Sequence, residues 1–543
     1  MSIGGMRRLC RLGLAAVIAT ALCVLTLVDM PPQLPQLPTD PPPTSGSEPP
    51  ATRSIVAYSW ARRLALDYRP SRECTIENNN DENDDNNNNN NSPTASTLSS
   101  TNTTSDEAKE MWLEAIPSRL FLYAGHLDIR VVGYPSVRVI GVKRESTVSG
   151  ALFCTIWHED HEGMRSFSME ALVSDIWLDE WGGTSTGYTG ILITCPLPES
   201  TTYPTRVFVG NTACYRNSSH SLIIKRGNNI KRKKTEFTLC VKGLDFDEDI
   251  SDKLVGFFEL SRILGAGMIY VYVFSVHENV TRVLRLYERS NVVRWFRLSL
   301  PGDLPNNVVD RRRLFSKDIW IKRRMELIPY NHCFYDNIYN SEFIVPIDID
   351  EMIIPVNVKT WSELLMNERK KLGNTFNDYA SYAVRNVYFF PELQSKINNS
   401  SLNNRIGNVM EKFNYFNTLR TTNVSPEGDS VKSFVSTKRT LTVHNHYALT
   451  TLNPSTRRAY HLDSRDVLKH HHRQCDKDRL NCHDMMSNIT VDKSALKYKK
   501  KKKVSDNFYF GNLIRYFCAS MHQAANLEGR SVFANAKGTF LLQ

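Results

Sequence analysis

The pattern of apolar and polar positions first predicts a β-rich part of the chain. Between Leu120 and Val241, short β-prone runs are separated by turn residues, which is typical of a mostly β subdomain. The runs cover residues 129–132, 137–142, 151–157, 190–195, 205–209 and 221–225. We therefore predict a β-rich subdomain over residues 111–236.

The pattern changes near residue 237, where predicted strands begin to alternate with amphipathic helices. In chain order, the predicted elements are strand 238–241, helix 253–264, strand 268–274, helix 280–288, strand 292–298, helix 315–328 and strand 343–347. A βαβαβ series of this kind indicates a parallel sheet with helices on both faces. The predicted fold class of this part is therefore α/β.

The last of these strands runs directly into three acidic residues, Asp348, Asp350 and Glu351. Residues two apart in a strand point to the same side, so Asp348 and Asp350 can converge on one cation. Carboxylate oxygens suit Mg²⁺ or Mn²⁺, and these ions complete their shells with water and substrate phosphates. Glu351 alternates away from both aspartates while the strand continues. We therefore expect it to support the site, and to contact a metal only if the chain turns there.

Two aspartates at this spacing are common in proteins. The alternative interpretation is a strand end whose acidic side chains face solvent or pair with an arginine. In open α/β sheets, however, ligands bind outside the carboxyl ends of the strands, where these acids fall. Their position therefore favours a site for a metal ion and a diphosphate. An EF-hand is excluded, because its sixth loop position requires glycine and Ile353 stands there.

The N-terminus carries the pattern of a membrane anchor. Arg7, Arg8 and Arg11 precede an uncharged, mostly apolar run at 12–28, which as a helix would span roughly 26 Å. The basic flank places the N-terminus in the cytoplasm and the rest of the chain in the lumen. A cleavable signal peptide is the alternative, but the run ends without a small-x-small cleavage site. We predict an uncleaved, single-pass type II anchor.

Low-complexity sequence separates this anchor from the folded part. Residues 29–110 are first proline-rich and then rich in Asn, Ser and Thr, which predicts a disordered stem. Five N-x-S/T sequons agree with a luminal location, and they begin at Asn102, Asn217, Asn279, Asn399 and Asn488. The predicted parts are tail 1–11, anchor 12–28, stem 29–110, β-rich subdomain 111–236, α/β domain 237–480 and C-terminal extension 481–543.

The formal net charge of +10 comes largely from local basic runs, such as residues 499–503. Such runs are more often solvated faces than binding patches. The sequence also carries no nucleic-acid-binding motif. We therefore predict no nucleic-acid partner.

Eleven cysteines are scattered along the chain. None belongs to a C-x-x-C pair, which argues against a zinc site. Scattered cysteines in a large secretory-pathway domain instead fit a few disulfides, with at least one cysteine left over. Their spacing leaves the connectivity open.

Several segments together resemble glycosyltransferase family 92. The matching segments are 237–242, 257–266, 268–274, 330–335, 347–355, 443–447 and 470–475. The most specific is 347–355, which reads IDIDEMIIP and matches the family's Asp-x-Asp-Glu-(apolar)-Ile-x-Pro signature. The order and approximate spacing are kept over about residues 240–475. The family's closing His-Tyr-Arg reads His471-His472-Arg473 here, so histidine replaces the tyrosine.

This resemblance implies a GT-A-like fold, a Rossmann-type mixed sheet flanked by helices. It implies a UDP-sugar donor, UDP-galactose, and inverting transfer to a glycan or glycoprotein on the luminal side of the Golgi. Mn²⁺ or Mg²⁺ would be held by Asp348 and Asp350. His471 would supply a late metal or diphosphate contact, and Arg473 would pair with a phosphate. The implied donor and diphosphate set is thus Asp348, Asp350, Glu351, His471 and Arg473.

Inversion also requires a carboxylate that removes the acceptor's proton. Asp463, Asp466 and Glu411 are candidates, and the sequence does not choose among them, so the base is unassigned. His446 and His461 are weaker candidates for the site than His471.

Two other functional classes stay open at this point. One is a catalytically inactive luminal glycan-binding or scaffold protein of the same fold, and the other is a metal-dependent phosphohydrolase. The intact Asp348 and Asp350 favour the enzyme, because a scaffold has no reason to bear the desolvation cost of two adjacent unpaired acids. The endoplasmic reticulum or another secretory-pathway membrane is the alternative to the Golgi.

Overall fold

The computed structural model describes residues 72–74, 111–144, 150–160, 163–178, 187–198, 204–227, 235–398, 414–476, 481–498, 532–534 and 540–542. The predicted anchor at 12–28 and almost all of the predicted stem lie outside the described residues. Within these ranges, no helix is long and apolar enough to cross a membrane.

The strands form several sheets of different size. In chain order they are β1 Arg72–Glu73, β2 Leu113–Ile116, β3 Leu120–Asp128, β4 Ser136–Arg144, β5 Phe153–Asp160, β6 Gly163–Glu170, β7 Leu172–Asp175, β8 Tyr188–Pro196, β9 Pro204–Gly210, β10 Leu222–Lys225, β11 Thr235–Asp245, β12 Ala266–Ser275, β13 Val293–Arg297, β14 Ser341–Pro346, β15 Glu351–Pro355, β16 Tyr379–Val384, β17 Asn386–Tyr388, β18 Leu419–Thr421, β19 Lys432–Ser436, β20 Thr440–Val443, β21 Ala448–Thr451, β22 Arg457–His461, β23 Val467–His471, β24 Ile489–Val491, β25 Val532–Ala534 and β26 Phe540–Leu542.

The helices belong mainly to the second half of the described chain. They are α1 Ser251–Leu264, α2 Glu278–Arg289, α3 Val308–Lys317, α4 Ile319–Asn337, α5 Trp361–Leu372, α6 Pro391–Asn398 and α7 Cys482–Ser487. Short 3₁₀ turns lie at Gly373–Asp378, Asn414–Phe416 and Ser494–Tyr498.

The first ten strands form one large sheet in the order β1-β6-β5-β9-β10-β3-β4-β8-β7, with β2 paired to β3. Five of the six β-prone runs predicted for this part overlap strands. The predicted strand at 129–132 is wrong, because β3 ends at Asp128 and the chain turns. Tyr134 donates its N–H to the Val131 carbonyl at 3.1 Å, and Gly133 adopts a φ of 76° that favours glycine.

The second sheet has seven strands in the order β13-β12-β11-β14-β19-β16-β22. The strands β11, β12, β13 and β14 are parallel, which confirms the predicted βαβαβ series. Strand β19 runs antiparallel to both of its neighbours, β14 and β16, so the sheet is mixed rather than purely parallel. The chain is therefore a mixed α/β protein.

Helices cover both faces of this second sheet. Side chains alternate along β11, so Leu239 packs into the cluster that contains Phe257 of α1, whereas Cys240 packs into the cluster that contains Ile328 of α4. All of these side chains are buried, and each fully buried large apolar side chain contributes roughly 1.5–3 kcal/mol. The predicted helix 315–328 is in fact two helices, because the Asp318 side chain caps a new helix at the backbone N–H groups of Trp320 and Ile321.

A small third sheet, in the order β15-β23-β17, stands at the carboxyl end of β14. Strand β23 pairs antiparallel with β15, and this register sets Glu351 opposite His471. The third sheet thus brings a histidine segment from late in the chain to the acidic residues that follow β14.

Eight cysteines of the described residues form disulfides. The bonds are Cys74–Cys214, Cys154–Cys195, Cys240–Cys333 and Cys475–Cys482.

Candidate functional site

The acidic residues lie in a turn between two strands. Strand β14 ends at Pro346, which has no backbone N–H to extend the ladder. The Glu351 N–H then donates to the Asp348 carbonyl at 3.0 Å, and the Tyr415 hydroxyl donates to the Ile349 carbonyl. The strand predicted at 343–347 is confirmed, but its continuation through the aspartates is wrong. Strand alternation therefore does not align the two side chains.

Glu351 holds this turn together from inside the protein. Its carboxylate accepts hydrogen bonds from Lys469 Nζ and, at 3.2 Å, from the backbone N–H of Asp348. Lys432 Nζ lies 3.3 Å from its other side. Burial raises the pKa of Glu351, but Lys432 and Lys469 outweigh it and lower the pKa to about 2. The buried Glu351 is thus an ionised group whose contacts hold the turn.

Asp348 belongs to the same ion network. Its Oδ1 lies 3.3 Å from Lys242 Nζ and its Oδ2 lies 3.2 Å from Lys432 Nζ. Both oxygens therefore face ammonium groups. A metal ion bound directly at Asp348 would have to displace one of them.

Asp350 is placed differently, because it faces a histidine. Its Oδ2 lies 3.2 Å from His471 Nε2, and its side chain is 41% exposed. The His472 N–H donates to the Asp350 carbonyl at 2.8 Å, which ties the turn to the end of β23. Burial raises the pKa of Asp350, but the adjacent His471 outweighs it, so the pKa is lowered and the carboxylate is ionised.

His471 is held in position from two sides. Its ring stacks on Tyr388 of β17, with 5.4 Å between the centroids. Its Nδ1 points toward Glu351, with Oε1 at 3.6 Å. At this distance the contact is electrostatic rather than a hydrogen bond, so Glu351 places a negative charge near the second ring nitrogen.

The Asp350 and His471 pair therefore has the donor set of a divalent-cation site. Two ligands at right angles on an ion with bonds of about 2.1 Å lie about 3 Å apart, close to the 3.2 Å found here. The structure thus brings together two of the predicted site residues, Asp350 and His471. It places Asp348 and Glu351 in the lysine network beside them.

The other predicted site residues have their own partners. Arg473 Nη2 lies 3.4 Å from Asp476 Oδ2, and Arg473 Nε donates to the Gln474 carbonyl at 3.2 Å. Burial raises the pKa of Tyr388, the ring that stacks on His471, and the nearby charge of Arg473 opposes this rise. His446 and His461 lie on other segments, with His446 Nδ1 2.7 Å from the Val431 carbonyl.

His472 lies on the opposite side of β23 from His471, because strand side chains alternate. Its ring is buried, stacks on Phe389 at 4.8 Å and meets the edge of Tyr415 at 5.3 Å. Burial lowers its pKa far below the usual value, so the ring is neutral. The position at which histidine replaces the family's tyrosine is therefore a packing position.

The candidate bases named from the sequence lie away from this pair. Asp466 immediately precedes β23, whereas His471 ends it, and a ladder of five residue pairs joins β23 to β15. At 3.4 Å per residue, Asp466 is separated from His471 by about 17 Å. Asp463 forms an exposed ion pair with Arg465. Glu411 lies outside the described residues.

Three lysines of this site were missed by sequence reasoning: Lys242, Lys432 and Lys469. Each follows or interrupts an apolar run, and Lys432 and Lys469 are buried. A lysine inside an otherwise apolar strand is rarely buried without a partner, and this is the signal that could have found the two buried ones.

A comparison with protein families matches the part of the chain that contains this site. The sequence model of glycosyltransferase family 92 matches residues 235–509, just over half of the 543-residue chain. The match contains the acidic turn, the three lysines and both histidine segments. No curated protein sequence gives a significant match to the chain. The chain therefore belongs to glycosyltransferase family 92, enzymes that move a sugar from a donor to a glycan acceptor.

Proposed function

We propose that this protein transfers galactose from UDP-galactose to a glycan acceptor, with inversion and with a divalent cation. One observation carries the proposal: within a family 92 domain, Asp350 and His471 face each other at 3.2 Å beyond the carboxyl end of β14. The choice of galactose and of inversion follows the family resemblance.

The sheet order supports a GT-A-type nucleotide-sugar fold. Four parallel strands, β11 to β14, are followed by one antiparallel strand, β19, and helices cover both faces. Ligands of such sheets bind outside the carboxyl ends of the strands. The acidic turn stands at that edge, directly after β14.

In this proposal, Asp350 Oδ2 and His471 Nε2 hold the cation. An oxygen and an imidazole nitrogen together suit Mn²⁺ better than Mg²⁺, which takes oxygen ligands almost exclusively. When bound, the cation supplies a positive charge next to the leaving diphosphate. This assignment replaces the predicted pair of Asp348 and Asp350, because the oxygens of Asp348 face ammonium groups.

The protein's own side chains fix this arrangement before a donor binds. Glu351 and its buried lysines hold the turn, and Tyr388 fixes the plane of the His471 ring. Lys242 is about one quarter exposed, and its Nζ lies 3.3 Å from Asp348 Oδ1 and 3.4 Å from Glu326 Oε1. In this proposal its ammonium also pairs with a donor phosphate. Such pre-arranged charges require little reorganisation during the reaction.

We also propose that the protein is a type II membrane protein of the Golgi with a luminal catalytic domain. The apolar run at 12–28, with its basic flank, supplies the anchor. Four disulfides support an oxidising compartment. Two predicted sequons, at Asn217 and Asn488, are exposed and open to glycosylation.

A donor panel tests the proposed reaction. The purified full-length protein is offered UDP-galactose and other UDP-sugars with a mixture of glycan acceptors, with Mn²⁺ or with EDTA. We expect galactose transfer with Mn²⁺ and its loss with EDTA. Undiminished turnover in EDTA would exclude the metal mechanism. Binding of glycans without transfer from any donor would indicate the scaffold function instead.

The histidine at position 472 gives a separate prediction. The His472→Tyr variant restores the family's residue, and we expect its kcat/KM to stay within about threefold, or roughly 0.7 kcal/mol. The reason is that the buried His472 ring packs against Phe389 and Tyr415, whereas the ring that faces Asp350 Oδ2 is that of His471. Steady-state rates with the active donor measure this. A change of tenfold or more would mean that this position acts on the reaction, and His471→Gln, on the catalytic side, is the matched variant expected to lose activity.

A further inference from the structure

A second group of titratable side chains lies where the first sheet meets helix α4. His126 on β3 and both His332 and Asp336 on α4 each offer a ligand atom, and these atoms lie within 4.8 Å of one another. His332 and Asp336 are four residues apart, so they project from the same face of the helix. Asp336 Oδ1 lies 3.6 Å from His126 Nδ1 and 3.8 Å from His332 Nε2.

An ammonium group already stands at this point of convergence. Lys225 ends β10 and lies opposite His126 in the parallel register of β10 and β3. Its Nζ donates to His332 Nε2 at 2.7 Å and to Asp336 Oδ1 at 3.3 Å. The Lys225 side chain is 46% exposed, so it can move into water without unfolding its strand. Binding of another cation therefore requires Lys225 to leave, which its exposure permits, whereas the Lys432 that pairs with Asp348 is only 1% exposed.

The ring nitrogens are arranged as in a metal site. The Lys225 ammonium can only donate, so His332 Nε2 accepts and His332 Nδ1 carries the proton. This N–H donates to the Tyr272 hydroxyl oxygen at 2.6 Å. Such a contact behind the ligating nitrogen orients metal-binding histidines. The lone pair of His332 Nε2 thus points at the position of the ammonium.

His126 contributes its Nδ1 to the group, because this nitrogen lies 3.6 Å from Asp336 Oδ1, and its side chain is only 2% exposed. Burial also lowers the pKa of His126 to about 3 and that of His332 far below its usual value. Both rings are therefore neutral near pH 7, the form that binds metals.

We propose that His126, His332 and Asp336 bind a Zn²⁺ ion that joins the first sheet to helix α4, with Lys225 moving to solvent as the ion enters. Ligand atoms on tetrahedral zinc, with bonds of 2.0–2.1 Å, lie about 3.4 Å apart. The 3.6 and 3.8 Å distances to Asp336 need a small contraction, and the remaining pair, the two ring nitrogens, lies within 4.8 Å. Two imidazoles and a carboxylate are a usual zinc donor set, which leaves one position for water.

The sequence argued against a zinc site because it contains no C-x-x-C pair. The ligands here are instead two histidines and a carboxylate, and β3 and α4 bring them together from distant parts of the chain. None of them belongs to the donor site. A negative result for the zinc site would therefore leave the proposed transferase reaction unaffected, and a negative result for the reaction would leave the zinc site unaffected.

Zinc titration of the purified full-length protein tests the proposal. All variants carry Asp350→Asn, which disables the donor site, and are stripped of metal with a chelator. Zn²⁺ is then titrated against a competing fluorescent chelator, and the thermal midpoint is recorded with and without Zn²⁺. We expect one Zn²⁺ per chain and a rise of the midpoint. In the same background, Lys225→Met should bind Zn²⁺ more tightly because the competing ammonium is gone, and His126→Gln should bind at least about tenfold more weakly.

Three results would overturn the zinc site. They are equal Zn²⁺ affinity in all three proteins, no uptake by the Lys225→Met variant at saturating Zn²⁺, and a midpoint rise that persists in the His126→Gln variant. If His126→Gln does not fold, the comparison between Lys225→Met and the Lys225 parent decides alone. Visible absorption of Co²⁺, used in place of zinc, reports whether the bound ion is tetrahedral.

Discussion

The Asp350→Asn variant is expected to lose at least about 10³-fold in kcat/KM, or roughly 4 kcal/mol of transition-state stabilisation. Asparagine keeps the size of the side chain but removes the negative charge that faces His471 Nε2 at 3.2 Å. A neutral amide is also a much poorer ligand for Mn²⁺ than a carboxylate. Initial rates over a Mn²⁺ series measure the effect, and the Mn²⁺ concentration for half-maximal rate should rise.

Asp463→Asn is the matched control for this variant. Asp463 makes an exposed ion pair with Arg465, beyond the far end of β23. Its replacement should change kcat/KM less than about twofold. The same measurement tests whether Asp463 is the catalytic base, as the sequence allowed. Equal losses in the two variants would contradict the site, as would an Asp350→Asn enzyme that keeps more than a tenth of the wild-type rate.

The Glu351→Gln variant is expected to lose about 3–5 kcal/mol of unfolding free energy, the usual cost of removing one partner from a buried ion pair. Lys469 then loses its hydrogen-bonded carboxylate, and Lys432 loses a carboxylate at 3.3 Å. Denaturant unfolding followed by tryptophan fluorescence measures the loss. Trp361 is a local reporter, because it is buried and donates to the Ile353 carbonyl of β15 at 2.9 Å.

The same variant should change the response to acid. The pKa of Glu351 is about 2 in the folded protein, against an ordinary value of 4.5. A lowered folded-state pKa contributes stability that is complete above the ordinary value and is lost as the pH falls through the folded one. The difference in stability between wild type and Glu351→Gln should therefore shrink between about pH 4.5 and pH 2. A constant difference across this range would show that the Glu351 charge does not stabilise the fold.

Glu278→Gln provides the control for the stability measurement. Glu278 lies on the surface of α2 and pairs with Arg282 at 2.6 Å, one helical turn away. Exposed pairs of this spacing contribute about 0.3–0.5 kcal/mol. A loss of that size, next to a loss several times larger in Glu351→Gln, would separate the buried network from surface ion pairs in general.

The predicted elements succeed where the local sequence carries the signal. Strands β12 and β14 contain continuous apolar runs with several β-branched residues, and helix α2 has a clear apolar face. By contrast, β19 pairs with Phe343 and Ile344 of a strand far earlier in the sequence. Its place and direction depend on that distant partner, so no local pattern predicts the mixed sheet.

The site divides in the same way. Asp350 and His471 could be named from the motif, because polar residues at the ends of apolar strands are visible in the sequence. The motif could not show that Asp350 faces His471 rather than Asp348. That arrangement depends on the turn that Glu351 and Tyr415 close. The partner of the buried Lys469 could not be predicted either. Glu351 lies far from it in the sequence and comes close only through the pairing of β15 with β23.

The antiparallel strand β19 also fixes the order in which the domain can be completed during synthesis. Phe343 of β14 pairs with Ser436, so β14 remains an open sheet edge until β19 has left the ribosome. At translation rates of about 5–20 residues per second, that interval is roughly 5–20 s. Open edges of this kind pair readily with other chains. The nascent protein therefore passes through a period in which the edge of its central strand is open to pairing with other chains.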